Sequence, residues 1–156
     1  MQRLSVDIVQ FLQNQGCVVV STIDSKGFPH NSCKGIVKIY HQGKIYLLDL
    51  YQARTYKNLK SNPHLSITAI DEHNFKGYCL KGKAEIIRKE DLKPEIIRAW
   101  EDRITSRITQ RLLKNIREEK GHPAHPEALL PQPKYLIVMR VEEVVDLTPP
   151  ILKEEA

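Results

Sequence analysis

Six short apolar segments, each bounded by turn-forming residues, constrain the fold of this chain more than any other feature of its sequence. Turns rather than crossover helices join most of these segments, which predicts an antiparallel sheet. Closing six strands into a small barrel removes the unpaired edges that an open sheet leaves. The sequence therefore predicts a mainly β fold, a six-stranded antiparallel barrel with peripheral helices, built as a single domain over 1–156. The predicted strands are 17–24, 30–40, 44–50, 64–71, 76–89 and 134–147.

Three helices are predicted around the strands. An amphipathic helix near the N-terminus ends at Gly16, and a short helix after the third strand stops at Asn62. From about 91 to 120 the apolar period changes to about 3.6 residues, which predicts a long inserted helix. A Pro-rich loop and a tail over about 148–156 complete the chain. The long helix must bury its apolar face on the barrel or on a second subunit. That face comprises Ile96, Ile97, Trp100, Ile104, Ile108, Leu112, Leu113 and Ile116.

The charge of the chain permits an anionic partner without requiring one. The net charge is +5, with 24 basic residues interleaved among 19 acidic ones. Because no basic block or stripe stands out, nucleic acid is not an expected partner. No apolar run approaches the ~20 residues of a membrane-spanning helix, so no membrane association is expected. Three widely spaced cysteines, Cys17, Cys33 and Cys79, argue against a disulfide framework and favour the cytoplasm.

The start of the short helix, Arg54 to Lys57, concentrates basic and hydroxyl groups where acidic residues are more usual. This end of a helix carries about half a positive charge, so cations are mildly unfavourable there unless an anion joins them. Free backbone N–H groups, the Arg54 guanidinium and the Thr55 hydroxyl suit a phosphate monoester. The alternative is that the cluster is solvated surface.

A second candidate is the stretch NSCKG, Asn31 to Gly35, in the second predicted strand. A glycine within a strand often marks a place where a ligand approaches the backbone. The alternative is a half-exposed strand whose polar side chains face water. Cys33 has no Cys-x-x-Cys partner and no evident base, so neither a redox nor a nucleophilic role is predicted for it. The sequence identifies no catalytic residue.

His122 and His125 have an H-x-x-H spacing, but Pro123 and Pro126 oppose the helical geometry that metal ligands at this spacing usually need. No further Cys or His pair accompanies them, so no metal site is predicted. The sequence also contains no Walker loop, dinucleotide fingerprint or serine-nucleophile elbow.

The order of elements resembles that of the pyridoxamine 5′-phosphate oxidase-like family of FMN-binding split barrels, over about Gly16 to Leu147. The most specific stretch is GKIYLLDLYQARTYKNLKSNPHLSI. It resembles the family's succession of strand, loop, basic and hydroxyl pair, Asn-Leu helix, Asn-Pro and strand. GYCLKGKAEII is similar to the family's next strand, and YLIVMRVEEVVDLTP is similar to its closing strand.

The resemblance implies a homodimer with FMN in a groove between two barrels. A barrel this small is filled by its own side chains, so a flavin must lie outside it. The resemblance further implies that Arg54 and Thr55 hold the phosphate, and that Leu48 and Asp49 approach the ribityl chain or the ring. Lys34, if close to the polar edge of the ring, is expected to favour the anionic reduced flavin. The residues implied to line the ring are Ser32, Cys33, Lys34 and Gly35.

Two features separate the chain from the true pyridoxamine phosphate oxidases. Those enzymes have an Arg-Lys pair at the position of Arg54 and Thr55, and their C-terminal Arg-x-His stretch has no counterpart in TPPILKEEA. The Arg-Thr form is more similar to the small FMN-binding proteins and the flavin reductase-like members. The chain is therefore predicted to be an FMN-binding oxidoreductase or electron carrier. The alternatives are a deazaflavin-dependent reductase and a cofactor-free barrel that acts as a binding or regulatory module.

Overall fold

Six antiparallel strands close into a barrel in which neighbours follow the order β1–β2–β3–β6–β5–β4. The structure is a computed structural model that describes residues 1–117 and 134–153. Each predicted strand is present with both ends within two residues of the prediction, so the predicted barrel is confirmed. The strands are β1 Val18–Ile23, β2 Pro29–Tyr40, β3 Lys44–Leu48, β4 His64–Asp71, β5 Lys76–Arg88 and β6 Tyr135–Asp146.

The alternation of side chains along each strand fills the barrel. In β4, Leu65, Ile67 and Ala69 are buried in the interior, while the residues between them are more exposed. The pairing of β5 with β6 shifts register between Lys81 and Gly82, where β6 contains one extra residue, Glu142. A Cβ atom at Gly82 would lie 2.1 Å from the carbonyl oxygen of Arg140, so this close approach of two strands requires a glycine.

Helix α1, Val6–Gln13, closes one end of the barrel with apolar side chains. Ser5 caps the helix, because its hydroxyl accepts a hydrogen bond from the amide of Ile8. Leu4 lies just before the helix and is also buried. Val9 and Leu12 project into the interior core, where Leu12 is fully buried. We refer to this end as the α1 end.

Helix α2, Arg54–Ser61, closes the opposite end, and we refer to it as the α2 end. Leu59 reaches the interior core, and the ring of Tyr56 meets the ring of Tyr135 edge-on at 5.0 Å. The prediction that a short helix follows the third strand and stops at Asn62 is confirmed.

Helix α3, Pro94–Ile116, packs on the outer face of β2, β3 and β6. It begins three residues later than predicted, since a proline suits the first helical position and disfavours helical geometry at the residue before it. Lys89–Asp91 form a single 3-10 turn instead. The predicted apolar face divides in two: its first five members are buried or half-buried on the barrel, and its last three are exposed. The exposed members are Leu112 at 58%, Leu113 at 52% and Ile116 at 78%.

Several predictions fall outside the described residues. The Pro-rich loop after the long helix, with His122 and His125, lies in 118–133, and the last part of the C-terminal tail lies in 154–156. The described part of the tail contains a short 3-10 helix, Pro150–Leu152.

Candidate functional site

A buried ion pair lies at the α2 end, where β3 stops. The ammonium of Lys34 is 2.6 Å from Oδ1 of Asp49, and their side chains are 11% and 0% exposed. The phenol of Tyr135 donates a hydrogen bond to the other carboxylate oxygen of Asp49. Burial and this hydrogen bond raise the pKa of Tyr135 well above its usual value, so the phenol stays protonated and remains a donor. Two donors therefore compensate the buried carboxylate.

Two further polar contacts join α2 to the barrel. The hydroxyls of Ser32 and Thr55 are 2.9 Å apart. The amide of Asn58 donates to the hydroxyl of Thr22 at 2.9 Å. Thr22 and Thr55 are 1% and 2% exposed, so these hydrogen bonds satisfy polar groups that water does not reach. Together they fix the rotation and height of α2 over the end of the barrel.

The start of α2 remains open to an anion. Ala53 occupies the cap position and has no side-chain oxygen to accept from the first amides of the helix. The first turn contains no acidic residue, whereas Arg54 and Lys57 are exposed beside it. The preceding Gln52 has a φ of 48°, a value that is uncommon outside glycine and that turns the chain sharply into the helix. An uncapped helix start with adjacent cations is suited to bind a phosphate group.

The residues predicted on β2 divide between two surfaces. Ser32 and Lys34 point toward the barrel interior at the α2 end, where they bond to Thr55 and Asp49. Cys33 is exposed on the outer face, and it pairs with Val19 of β1. This alternation is the ordinary period of a strand.

Gly35 belongs to the outer face, where it pairs with Leu48 of β3. We refer to Cys33, Gly35 and Leu48 as the outer ledge. The site residues predicted from sequence thus form two adjoining groups. Ser32, Lys34, Asp49 and Thr55 lie in the polar end of the barrel, the outer ledge lies beside it, and Arg54 is exposed at the start of α2.

Sequence reasoning missed four residues of this region: Thr22, Asn58, Arg107 and Tyr135. Thr22 and Tyr135 lie within apolar strand segments, where nothing in the sequence distinguishes them from ordinary strand residues. Asn58 lies on the predicted helix, but nothing in the sequence shows that it reaches β1. The guanidinium of Arg107 comes within contact distance of Gly35, since a Cβ atom at Gly35 would lie 3.4 Å from its Nη1.

Within the described ranges, no three His, Cys, Asp or Glu side chains are grouped in a way that would hold a metal ion. His122 and His125 fall outside those ranges, so their predicted lack of metal stays a prediction. None of the described helices is long and apolar enough to cross a membrane.

Comparisons with known proteins agree with this architecture. The family model described as pyridoxamine 5′-phosphate oxidase matches residues 4–146. No curated protein matches the chain. Three solved structures, all under 25% identical, share its fold.

The HupZ protein of Group A Streptococcus is 19% identical, with a TM-score of 0.62, over 93% of this chain and 95% of that one. HutZ, the heme storage protein from Vibrio cholerae, is 18% identical, with a TM-score of 0.54, over 92% and 94%. An F420 reductase is 17% identical, with a TM-score of 0.54, over 87% and 94%.

Proposed function

Because the chain belongs to the pyridoxamine 5′-phosphate oxidase family, we propose that it binds FMN and acts as a flavin-dependent oxidoreductase or a small electron carrier. The observation that carries the proposal is the start of α2. There an uncapped helix end, two exposed cations and the absence of an acidic residue in the first turn coincide beside the polar end of the barrel.

The residues at this end fit the phosphate of FMN. Arg54 is the solvent-facing member of the predicted pair, since the Thr55 hydroxyl is buried against Ser32. Arg54 can donate two parallel hydrogen bonds to phosphate oxygens. The buried carboxylate of Asp49 is a negative group near this place. Its charge is compensated by Lys34 and its second oxygen accepts from Tyr135, so it presents no uncompensated charge to a phosphate.

Bound FMN supplies hydride or single-electron transfer, and the protein has to bind it, orient it and set its electrostatic surroundings. In this proposal Arg54 and the first amides of α2 hold the phosphate. Thr22, Asn58 and the Ser32–Thr55 contact act as positioning groups, because they hold α2 in place. The outer ledge receives the ring, which lies beside the Arg107 guanidinium at Gly35.

Vitamin B6 oxidation is not part of the proposal, since the chain has no counterpart of the Arg-x-His stretch. F420 and heme are two alternative cofactors that two structural neighbours suggest. One structural neighbour is an F420 reductase, and another is a heme storage protein. A barrel without any cofactor is the remaining alternative.

The test is the colour and cofactor content of the purified protein, followed by titration of the apoprotein with FMN, F420 and heme. We expect a yellow protein that releases FMN on denaturation and takes up one FMN per chain. Saturable binding of F420 or heme in preference to FMN would overturn the proposal in favour of that ligand. Failure to bind any of the three would favour the cofactor-free module.

We also propose that the protein is a homodimer in which both copies contribute to the flavin groove. The support is an uncharged row on the outer face of the sheet, where side chains from five neighbouring strands lie in register. Facing such rows on two copies would bury a continuous surface without desolvating a charge. The row consists of Cys33, Val19, Thr68, Cys79 and Val145.

Sedimentation of dilute protein with and without FMN tests the dimer. We expect Val19→Glu to produce monomers and to weaken FMN binding, and we expect FMN to stabilise the wild-type dimer by mass action. Val6→Glu, which places the same charge on an exposed position of α1, is the matched control. A wild-type monomer that binds FMN tightly would rule out the shared groove.

A further inference from the structure

The long helix α3 brings a cation to the outer ledge. Trp100 and Ile104 are buried on the barrel, where they pack in one cluster with Val37 of β2. Arg107 lies about one helical turn after Ile104 and therefore continues the same face of the helix. Its Nη1 atom lies 3.4 Å from the position that a Cβ atom would occupy at Gly35, two residues before Val37 on β2. Arg107 is half-buried, and its guanidinium lies beside the strand at Gly35.

The ammonium of Lys34 does not lie on the outer ledge. Its ammonium points to the opposite side of β2 and lies 2.6 Å from the buried carboxylate of Asp49. Arg103, one turn before Arg107, donates to the backbone carbonyls of Gln13 and Gln15 and so joins α3 to the end of α1. The cation that meets the outer ledge at Gly35 is thus supplied by α3 and not by the strand.

We propose that Arg107 is a cofactor-binding residue that sets the reduction potential of the flavin by holding a fixed positive charge beside the ring at Gly35. The inference rests on the proposed function, in which the ring lies along the outer ledge. It reassigns to Arg107 the electrostatic role that the sequence had suggested for Lys34.

The physical reason is the charge of the reduced flavin. Two electrons and one proton convert oxidised flavin to its anionic reduced form, whose negative charge is shared by N1 and O2 of the pyrimidine ring. An adjacent guanidinium favours that form over the neutral oxidised form, so the potential rises. A half-buried charge pair is screened less by salt than an exposed one.

The experiment measures the midpoint potential of bound FMN by reductive titration with dithionite, which supplies the electrons. Arg107→Gln and Arg107→Met remove the charge with two different shapes, and Arg107→Lys keeps it. Arg98→Gln removes an exposed arginine from the same helix about two and a half turns away, and it is the matched control. We expect both uncharged variants to bind oxidised FMN and to lose about tenfold or more of the preference for the reduced form. Each tenfold loss lowers the potential of a two-electron couple by about 30 mV.

Sulfite binding provides a second readout. Sulfite sulfur bonds to N5 of oxidised flavin, and the adduct places a negative charge on the same N1–O2 region without any electron transfer. We expect the sulfite affinity to fall about tenfold or more in Arg107→Gln and Arg107→Met. Arg107→Lys should retain most of it, and Arg98→Gln should match the wild type.

The outcomes separate this inference from the proposed function. If the wild-type protein binds no FMN, the proposed function fails and the inference fails with it. If FMN binds but its potential and sulfite affinity are the same in Arg107→Gln, Arg107→Met and Arg98→Gln, the inference alone is wrong. If one uncharged variant does not fold, as judged by circular dichroism, the other and Arg107→Lys decide. The proposed role of Arg107 then requires a lower potential in the uncharged variant than in Arg107→Lys.

Discussion

The two ends of the barrel are closed in opposite ways. At the α1 end, Leu4, Val9 and Leu12 enter the same apolar core as the inward-facing strand residues. At the α2 end, the closure contains a buried ion pair and hydrogen bonds between hydroxyls, an amide and a phenol. The α1 end is closed mainly by buried apolar side chains, whereas the closure of the α2 end also contains buried polar and charged groups.

Apolar closure and polar closure contribute differently to the stability of the fold. Burying an apolar side chain stabilises a fold by roughly 1.5–3 kcal/mol. A buried ion pair often does no better than an apolar replacement of the same size, because desolvation offsets the attraction. The polar closure is therefore poorly explained by stability. It is better explained by the need to hold α2 and its anion-receptive start in one position.

The largest expected effect is the loss of one partner of the buried ion pair. Asp49→Ala leaves the ammonium of Lys34 buried without its counter-charge, and we expect a loss of about 3–5 kcal/mol in the free energy of unfolding. The double variant Lys34→Met with Asp49→Leu removes both charges and should lose less than Asp49→Ala. Urea denaturation measures both. A double variant less stable than the single one would show that the pair itself stabilises the fold.

A core truncation at the α1 end should affect stability without affecting the cofactor. Leu12 is fully buried, and Leu12→Ala is expected to cost about 2–5 kcal/mol because it leaves a cavity. FMN affinity of the folded fraction should not change, since Leu12 lies in the interior core and belongs neither to the outer ledge nor to the start of α2. Urea denaturation and FMN titration of the same sample give the two values. A marked loss of FMN affinity would mean that the two ends are coupled.

A smaller effect is expected when the hydrogen bond between α2 and β1 is broken. Asn58→Ala leaves the buried hydroxyl of Thr22 without its donor, at a cost of about 1–3 kcal/mol. We also expect weaker FMN binding, because α2 loses a positioning contact. The control is Ser5→Ala, which removes a helix cap at the α1 end for about 0.5–2 kcal/mol. If the control weakens FMN as much as Asn58→Ala does, the positioning role is wrong.

The smallest expected effect is the pH dependence that Tyr135 contributes. Its folded-state pKa is raised by burial and by Asp49, so its contribution to stability is fully present below the unfolded pKa of about 10 and is lost as the pH rises beyond it. One such group changes stability by at most about 1.4 kcal/mol per pH unit. Denaturation between neutral and alkaline pH should show a shallower decline for Tyr135→Phe than for the wild type. Tyr51→Phe, an exposed tyrosine at the same end, should decline like the wild type.

The sequence predicted the strands because their apolar alternation matches the geometry of a barrel. It could not predict which face of β2 turns inward. Polar residues usually face water, but here Ser32 and Lys34 face the barrel end, because Thr55 and Asp49 supply partners there. Period two shows that faces alternate and does not show which face is buried.

The long helix α3 is a second case in which the apolar pattern predicts the element but not its contacts. Its apolar period predicted a helix correctly, but that period gave no signal for Arg107, a charged residue on the barrel-facing side. Contact between Arg107 and Gly35 depends on how α3 crosses β2, and this follows from packing between distant segments of the chain. Likewise, Leu112 and Leu113 belong to the predicted apolar face but are exposed.

The most direct test of the account compares FMN with riboflavin in binding titrations of the wild type and Arg54→Ala. Only FMN has the phosphate, so losing a charge-assisted hydrogen bond of about 1.5–3 kcal/mol should weaken FMN roughly tenfold to more than a hundredfold and riboflavin little. Arg3→Ala, which removes an exposed arginine at the α1 end, should change neither affinity. Equal losses for FMN and riboflavin in Arg54→Ala would contradict the assignment of the α2 end as the phosphate site.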